Sequence, residues 1–136
     1  MRRSDLAFLV GRWRGEGTLR GEAVTTRSEC AAAADGSLRL DVETRRGGDV
    51  VHRESVEFRS GADGRVVVTT SPRSGTVQTW DVSGDAARLV LRHPGFVWEI
   101  RPGRDAWDET FDAVARDGLT SRIVSLRHVR LEGPAR

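Results

Sequence analysis

Hydrophobic and polar residues alternate along most of this chain. In the segment from Ser37 to Arg45, Leu38, Leu40 and Val42 are separated by charged residues. Successive side chains of a β-strand point to opposite faces, so a period of two predicts strands with one buried face. The same period recurs in most segments of the chain, which indicates an all-β protein.

Turn residues divide the chain at short, regular intervals, and each break contains Gly or Pro, which supply the geometry of tight turns. Alternation and breaks together predict about ten strands joined mostly by hairpins. The expected strands run from Arg12 to Arg20, Glu22 to Ala32, Ser37 to Arg45, Val50 to Ser60, Arg65 to Ser71, Gly75 to Val82, Ala87 to Arg92, Phe96 to Arg101, Ala106 to Ala115 and Leu119 to Leu131. We expect residues 1–136 to form a single domain, an antiparallel up-and-down β-barrel.

The N-terminal segment has a different pattern. Ser4 can cap a helical turn from Asp5 to Val10, and the strand that follows carries Trp13, Gly15 and Gly17 on one face. Two glycines after a large ring leave one face of the strand without side chains, so the strand can bend and another segment can close over it. We therefore expect a short N-terminal helix that plugs one end of a barrel with a small-molecule pocket.

Composition excludes several functions. All 22 basic residues are Arg, so no Lys is present for Schiff-base chemistry, and acidic residues interspersed with Arg leave a net charge of only +2, without the basic patch of a nucleic-acid-binding protein. Cys30 is the single cysteine, which fits a reducing compartment, and no segment resembles a membrane span or a signal peptide. We expect a cytoplasmic protein, monomeric or homodimeric, without nucleic-acid partner or membrane insertion.

Three short motifs resemble those of the nitrobindin-type proteins, which are haem-binding barrels related in shape to fatty-acid-binding proteins and lipocalins. Leu6-x-x-Leu9-x-Gly11-x-Trp13-x-Gly15-x-Gly17 is similar to the family's opening segment, and His52-Arg53-Glu54-Ser55 to its His-x-Glu-Ser strand. The segment from Ser71 to Val77 resembles its Pro-x-Gly hairpin. The resemblance implies a ten-stranded barrel and a haem protein acting on nitric oxide or peroxynitrite. The exclusive use of Arg as the basic residue is typical of a GC-rich bacterial genome.

The resemblance does not extend to the haem ligand. In the family a His near the start of the last strand holds the iron, and here Ser121 stands at that position. A Ser hydroxyl is not an axial haem ligand. His93, which ends a strand before Pro94-Gly95, is a candidate substitute ligand or a solvated strand-end residue. We expect no cofactor, and the scattered His and Cys residues lack the local spacing of a metal site.

Two groups of residues are candidates for acid–base chemistry. His52 and Glu54 share a face of one expected strand, where a desolvated Glu can act as general acid or base, or where the pair braces the barrel. Glu109 lies between Trp107 and Phe111 on an inward face. It is a candidate for proton transfer, an anchor for a ligand amine or hydroxyl, or a partner of Arg127, which with Arg130 is also a candidate to stack on Trp13.

These patterns predict that a small, mostly apolar organic ligand binds inside the barrel. The expected lining comprises four aromatic and two polar residues, namely Phe96, Trp98, Trp107, Phe111, Gln78 and Ser121. The first alternative is a cofactor-free cyclase, isomerase or dehydratase that uses Glu54 and Glu109 for proton transfer, with His52 orienting or relaying. The second alternative is the haem protein that the resemblance implies.

Overall fold

The computed structural model describes residues 3–60, 66–72 and 77–131, and in it the strands form one closed antiparallel barrel. A 3₁₀-helix, Arg3–Leu9, precedes ten strands. These are β1 Gly11–Leu19, β2 Glu22–Ala32, β3 Leu38–Arg46, β4 Asp49–Ser60, β5 Val66–Pro72, β6 Gln78–Asp85, β7 Arg88–His93, β8 Phe96–Pro102, β9 Ala106–Val114 and β10 Thr120–Arg130. Each strand pairs with the next, and β1 pairs with β10. The predicted barrel is thereby confirmed.

The expected N-terminal helix is present, but as a 3₁₀-helix. Leu6 and Leu9 on this helix are fully buried. The Trp13 indole N–H donates a hydrogen bond to the Leu9 carbonyl oxygen at 2.7 Å. Seven residues is long for the tighter 3₁₀ geometry, whose runs seldom exceed about four residues. The side chain of Ser4, the expected cap, lies outside the described residues. No helix among the described residues has the length and apolar character to cross a membrane.

The buried face of each strand follows the alternation in the sequence. In β2, Val24, Thr26, Ser28 and Cys30 are buried while their neighbours are exposed. Strand ends agree with the expectation to within a few residues, which is the usual uncertainty of such boundaries. Two of the expected strand starts, Arg65 and Gly75, lie outside the described residues. The same is true of residues 73–76 of the Pro-x-Gly hairpin.

The end of the barrel next to the 3₁₀-helix, here called the plugged end, is filled by rings. Trp13 meets Trp107 edge-to-face with centroids 6.2 Å apart, and Phe58 and Ile100 are fully buried in the same core. The Arg130 guanidinium lies 4.3 Å from the Trp13 ring centre, which confirms that an arginine of the last strand covers this indole.

Two irregularities occur at the opposite end, here called the open end. The register of β3 and β4 shifts between Thr44 and Arg45, opposite Val51, and that of β9 and β10 shifts at Ile123. A bulge places an extra residue in one strand and turns its side chains. As a result the consecutive residues Val51 and His52 both border the cavity at this end, as do Ile123 and Val124.

Candidate functional site

The open end of the barrel contains a cavity of about 350 Å³. Half of the residues that line it are aliphatic: Leu19, Val24, Leu40, Val42, Val51, Val56, Ile123, Val124 and Leu126. The remaining lining residues are aromatic or polar: Trp80, Trp98, Phe111, Thr44, Thr70, Gln78, His52, Glu54 and Glu109. An apolar surface with a few polar groups is the usual composition of a small-molecule site.

Three rings form the aromatic wall of the cavity. Trp80 meets Trp98 edge-to-face at 5.9 Å and Phe111 at 5.8 Å between ring centres. The sequence had placed Trp98 and Phe111 here but had not included Trp80. Gln78 lines the cavity as expected. Trp80 is two residues further along the same strand, so it shares the inward face, and this spacing could have identified it. The Trp80 indole donates a hydrogen bond to Thr70 Oγ1 at 3.2 Å, which fixes its orientation.

Three residues expected in the lining are not part of it. Phe96 packs on Phe111 with ring centres 5.4 Å apart. Trp107 belongs to the plugged end, where it stacks on His128 at 3.8 Å. Ser121 is exposed near the start of β10, before the bulge at Ile123. Alternation assigns a side chain to the interior but does not give its height in the barrel, which is why these positions differ from the expectation.

Glu109 projects into the cavity from β9 with only 14% of its side chain exposed. The Trp98 indole donates a hydrogen bond to its Oε2 at 3.2 Å, and its Oε1 lies 3.5 Å from His128 Nε2. Arg127, the expected partner, instead pairs with Asp108 on the outside of the barrel at 3.0 Å. The physical reason is the period of two, which sends residues 127 and 128 of β10 to opposite faces.

His128 was not expected at the site. It is completely buried, and its Nδ1 lies 3.4 Å from Thr26 Oγ1 across Gly15 of β1. Gly15 permits this contact, because a Cβ there would overlap Thr26 Oγ1 and lie 2.7 Å from His128 Nδ1. With its proton on Nε2, His128 can accept from Thr26 while pointing an N–H at Glu109. The sequence signal was its spacing of two from the inward Leu126.

His52 and Glu54 lie nearer the mouth of the cavity. His52 Nε2 is 3.9 Å from Glu54 Oε2, and their side chains are 46% and 28% exposed. The Glu54 carboxylate raises the pKa of His52, against the opposing effect of partial burial. The structure therefore brings the expected pair together on the cavity wall, and it also brings Glu109 to the same cavity.

The three histidines lie at separate places in the barrel. His128 is held between Thr26 and Glu109 beneath Trp107, and His93 Nδ1 lies 3.0 Å from the Thr79 carbonyl oxygen. His52 is the one histidine among the described residues that lines the cavity, and it faces Glu54. No histidine stands at the start of β10, where the resemblance implies the haem ligand, because Ser121 occupies that position.

A second depression lies between β1 and β4 and has a volume of about 650 Å³. It is open to solvent, and its lining includes outward-facing charged residues such as Arg27, Glu43 and Arg53. Arg53 is already paired with Glu43 at 3.2 Å. The cavity inside the barrel at the open end is less open to solvent and is the better candidate for a ligand site.

Comparison with known proteins supports the fold. A crystal structure of Rv2717c from M. tuberculosis superposes with a TM-score of 0.69 at 17% sequence identity, covering 95% of this chain and 96% of that one. The chain matches none of the protein-family models and none of the curated proteins with which it was compared. The barrel is thus shared with a mycobacterial protein, and the similarity at this identity concerns the fold alone.

Proposed function

We propose that the protein binds a small, mostly apolar organic molecule in the cavity at the open end of its barrel. The observation that carries the proposal is the cavity itself, an apolar space of about 350 Å³ with a few convergent polar groups. This volume is at the lower end of the range for ligand sites, so it suits a molecule of one or two rings. The proposal requires no haem, and Ser121 stands where the resemblance implies the iron ligand.

Tryptophan fluorescence tests this proposal directly. Trp80 and Trp98 line the cavity and report its occupancy, so a panel of one- and two-ring apolar compounds should change the emission. Val124→Trp fills the cavity from β10 and should abolish binding measured by calorimetry. Val129→Trp is the matched control, because Val129 is on the same strand but 40% exposed. Absence of binding by every compound would refute the proposal.

A second function, proton transfer to or from the bound molecule, is favoured by one observation. Thr26, His128 and Glu109 form a buried chain of polar groups that ends in a carboxylate at the cavity wall. In such a chain His128 can orient and stabilise the carboxylate while Glu109 removes a proton from a carbon or oxygen acid. This arrangement suits a cofactor-free isomerase, cyclase or dehydratase.

The proton-transfer function has its own test. 5-Nitrobenzisoxazole is a small C–H acid whose ring opens to a coloured phenolate when a base removes its C3 proton, as the N–O bond breaks and the nitrile forms. We expect catalysis by the native protein that is lost in Glu109→Gln and retained in Glu57→Gln, since Glu57 pairs with Arg59 on the outer face. Equal rates in these two variants would refute proton transfer by Glu109 and leave binding untouched.

A further inference from the structure

The cavity contains acidic side chains but, among the described residues, no arginine. The chain has 22 basic residues, all arginine. The arginines that form described ion pairs have side chains that are 41–66% exposed, and none of them lines the cavity. The cavity wall instead presents Glu54, Glu109 and His52. In a chain so rich in arginine, this separation of charges gives the cavity an electrostatic preference.

Glu109 retains capacity for a further partner. A carboxylate has about four acceptor sites, and one is used by the Trp98 indole. The neighbouring His128 Nε2 is completely buried and has no hydrogen-bond partner, and its distance of 3.5 Å from Glu109 Oε1 exceeds normal hydrogen-bond length. A carboxylate that is largely buried, as Glu109 is at 14% exposure, and that has incomplete partners is costly unless a cation or donor completes it.

The rings beside Glu109 add a second attraction. Trp98 donates to Glu109 and meets Trp80, which in turn meets Phe111. Faces of tryptophan and phenylalanine rings attract cations, most strongly where water is excluded. A positive group held by Glu109 would lie close to these rings, while the aliphatic wall would contact an apolar body.

We infer that the natural ligand is an organic cation, an amine or related base with a compact apolar body, whose charged group is held by Glu109. This inference rests on the proposed function, because it assigns a chemical class to the molecule bound in the same cavity. Glu54, nearer the mouth, adds a second negative charge that favours entry of a cation over an anion.

Three probes with one apolar body separate charge from size. They are 1-naphthylmethylammonium, 1-naphthalenemethanol and 1-naphthaleneacetate, titrated into the native protein by calorimetry at low ionic strength. We expect the ammonium to bind at least about tenfold more tightly than the alcohol, and the carboxylate to bind most weakly. Equal affinities, or a preference for the carboxylate, would overturn the inference and leave the proposed function standing. No binding of any probe would refute both.

Variants identify the carboxylate responsible. Glu109→Gln keeps the shape and the acceptor for Trp98, so it should remove most of the preference for the ammonium over the alcohol while leaving alcohol binding nearly unchanged. Glu57→Gln removes a carboxylate from the outer face of β4 and should leave the ratio unaltered. Retention of the full ratio in Glu109→Gln would refute the role of Glu109, provided that its unfolding transition matches that of the native protein.

Discussion

The two ends of this barrel are built from the same alternating strands, but one end is filled by side chains and the other keeps a cavity. At the plugged end, Trp13, Trp107 and the 3₁₀-helix fill the interior, and the Trp13 indole is bonded to Leu9 and covered by Arg130. At the open end, the interior keeps a cavity with Glu54 and Glu109 on its wall. The plugged end is thus a tightly packed apolar core, whereas the open end places carboxylates beside an unfilled space.

The comparison also shows where the two ends meet. His128 belongs to both ends, since it stacks on Trp107 on one side and faces Glu109 on the other. The plugged end shields the His128 ring from water, while its Nε2 points toward the open end. Packing against Trp107 fixes the His128 ring beside Glu109 without a hydrogen bond between the two side chains.

The largest effect is expected from opening the plugged end. Trp13→Ala removes a fully buried ring together with its hydrogen bond and its contacts to Trp107 and Arg130, and should cost about 3–5 kcal/mol of unfolding free energy. Phe111→Ala, on the cavity wall, should cost only about 1–2 kcal/mol because its ring is partly exposed. Urea unfolding measures both, and equal losses would contradict the division between the two ends.

Cys30 reports the integrity of the plugged end by its reactivity. Its thiol is 2% exposed, and burial, assisted by the Asp41 carboxylate, raises its pKa to about 11. Since the thiolate is the reactive form, alkylation by iodoacetamide at pH 8 should be at least ~100-fold slower than in the urea-unfolded chain. Trp13→Ala should speed the reaction in the folded protein. Comparable rates in the folded and unfolded native sequence would show that this end is open.

Gly15 lies at the boundary between the two ends and tests how closely they are joined. Gly15→Ala forces Thr26 and His128 apart and should cost about 1–3 kcal/mol. Gly48→Ala serves as the control, because a Cβ there meets nothing within 4 Å, so its unfolding free energy should change by less than about 0.5 kcal/mol. If the two variants have the same unfolding free energy, the contact between Thr26 and His128 does not contribute measurably to stability.

The smallest effect concerns the mouth of the open end. Protonated His52 repels a cationic ligand and neutralises Glu54, and Glu54 raises its pKa, so the repulsion persists above the ordinary histidine range. Among the described residues, β3 presents the uncharged Thr44 beside His52, and Glu109 is the other carboxylate of the cavity.

The affinity of 1-naphthylmethylammonium should therefore increase by about three- to tenfold between about pH 5.5 and pH 8, as His52 loses its proton. His52→Gln should flatten this dependence, since the probe stays charged throughout. A dependence that survives this substitution would assign the titration to another group.

Much of the fold could be predicted from local pattern. A strand shows its buried face through a period of two, and Gly or Pro marks its ends, so the number of strands, their order and the inward faces of β3 and β4 needed no knowledge of the rest of the chain. The same locality brought His52 and Glu54 together and identified Glu109 as an inward carboxylate between rings.

The partners and heights of these residues depended on closure of the barrel. Thr26 and His128 are 102 positions apart in the chain, and they meet because β1 pairs with both β2 and β10 and has no side chain at Gly15. The strand register, and not the sequence spacing, decides which inward residues share a level. For that reason the sequence by itself determined the alternating strands and the acidic residues of the interior. The tertiary structure alone decided that Trp107 fills one end, that Trp80 joins the cavity wall at the other, and that His128 lies between them.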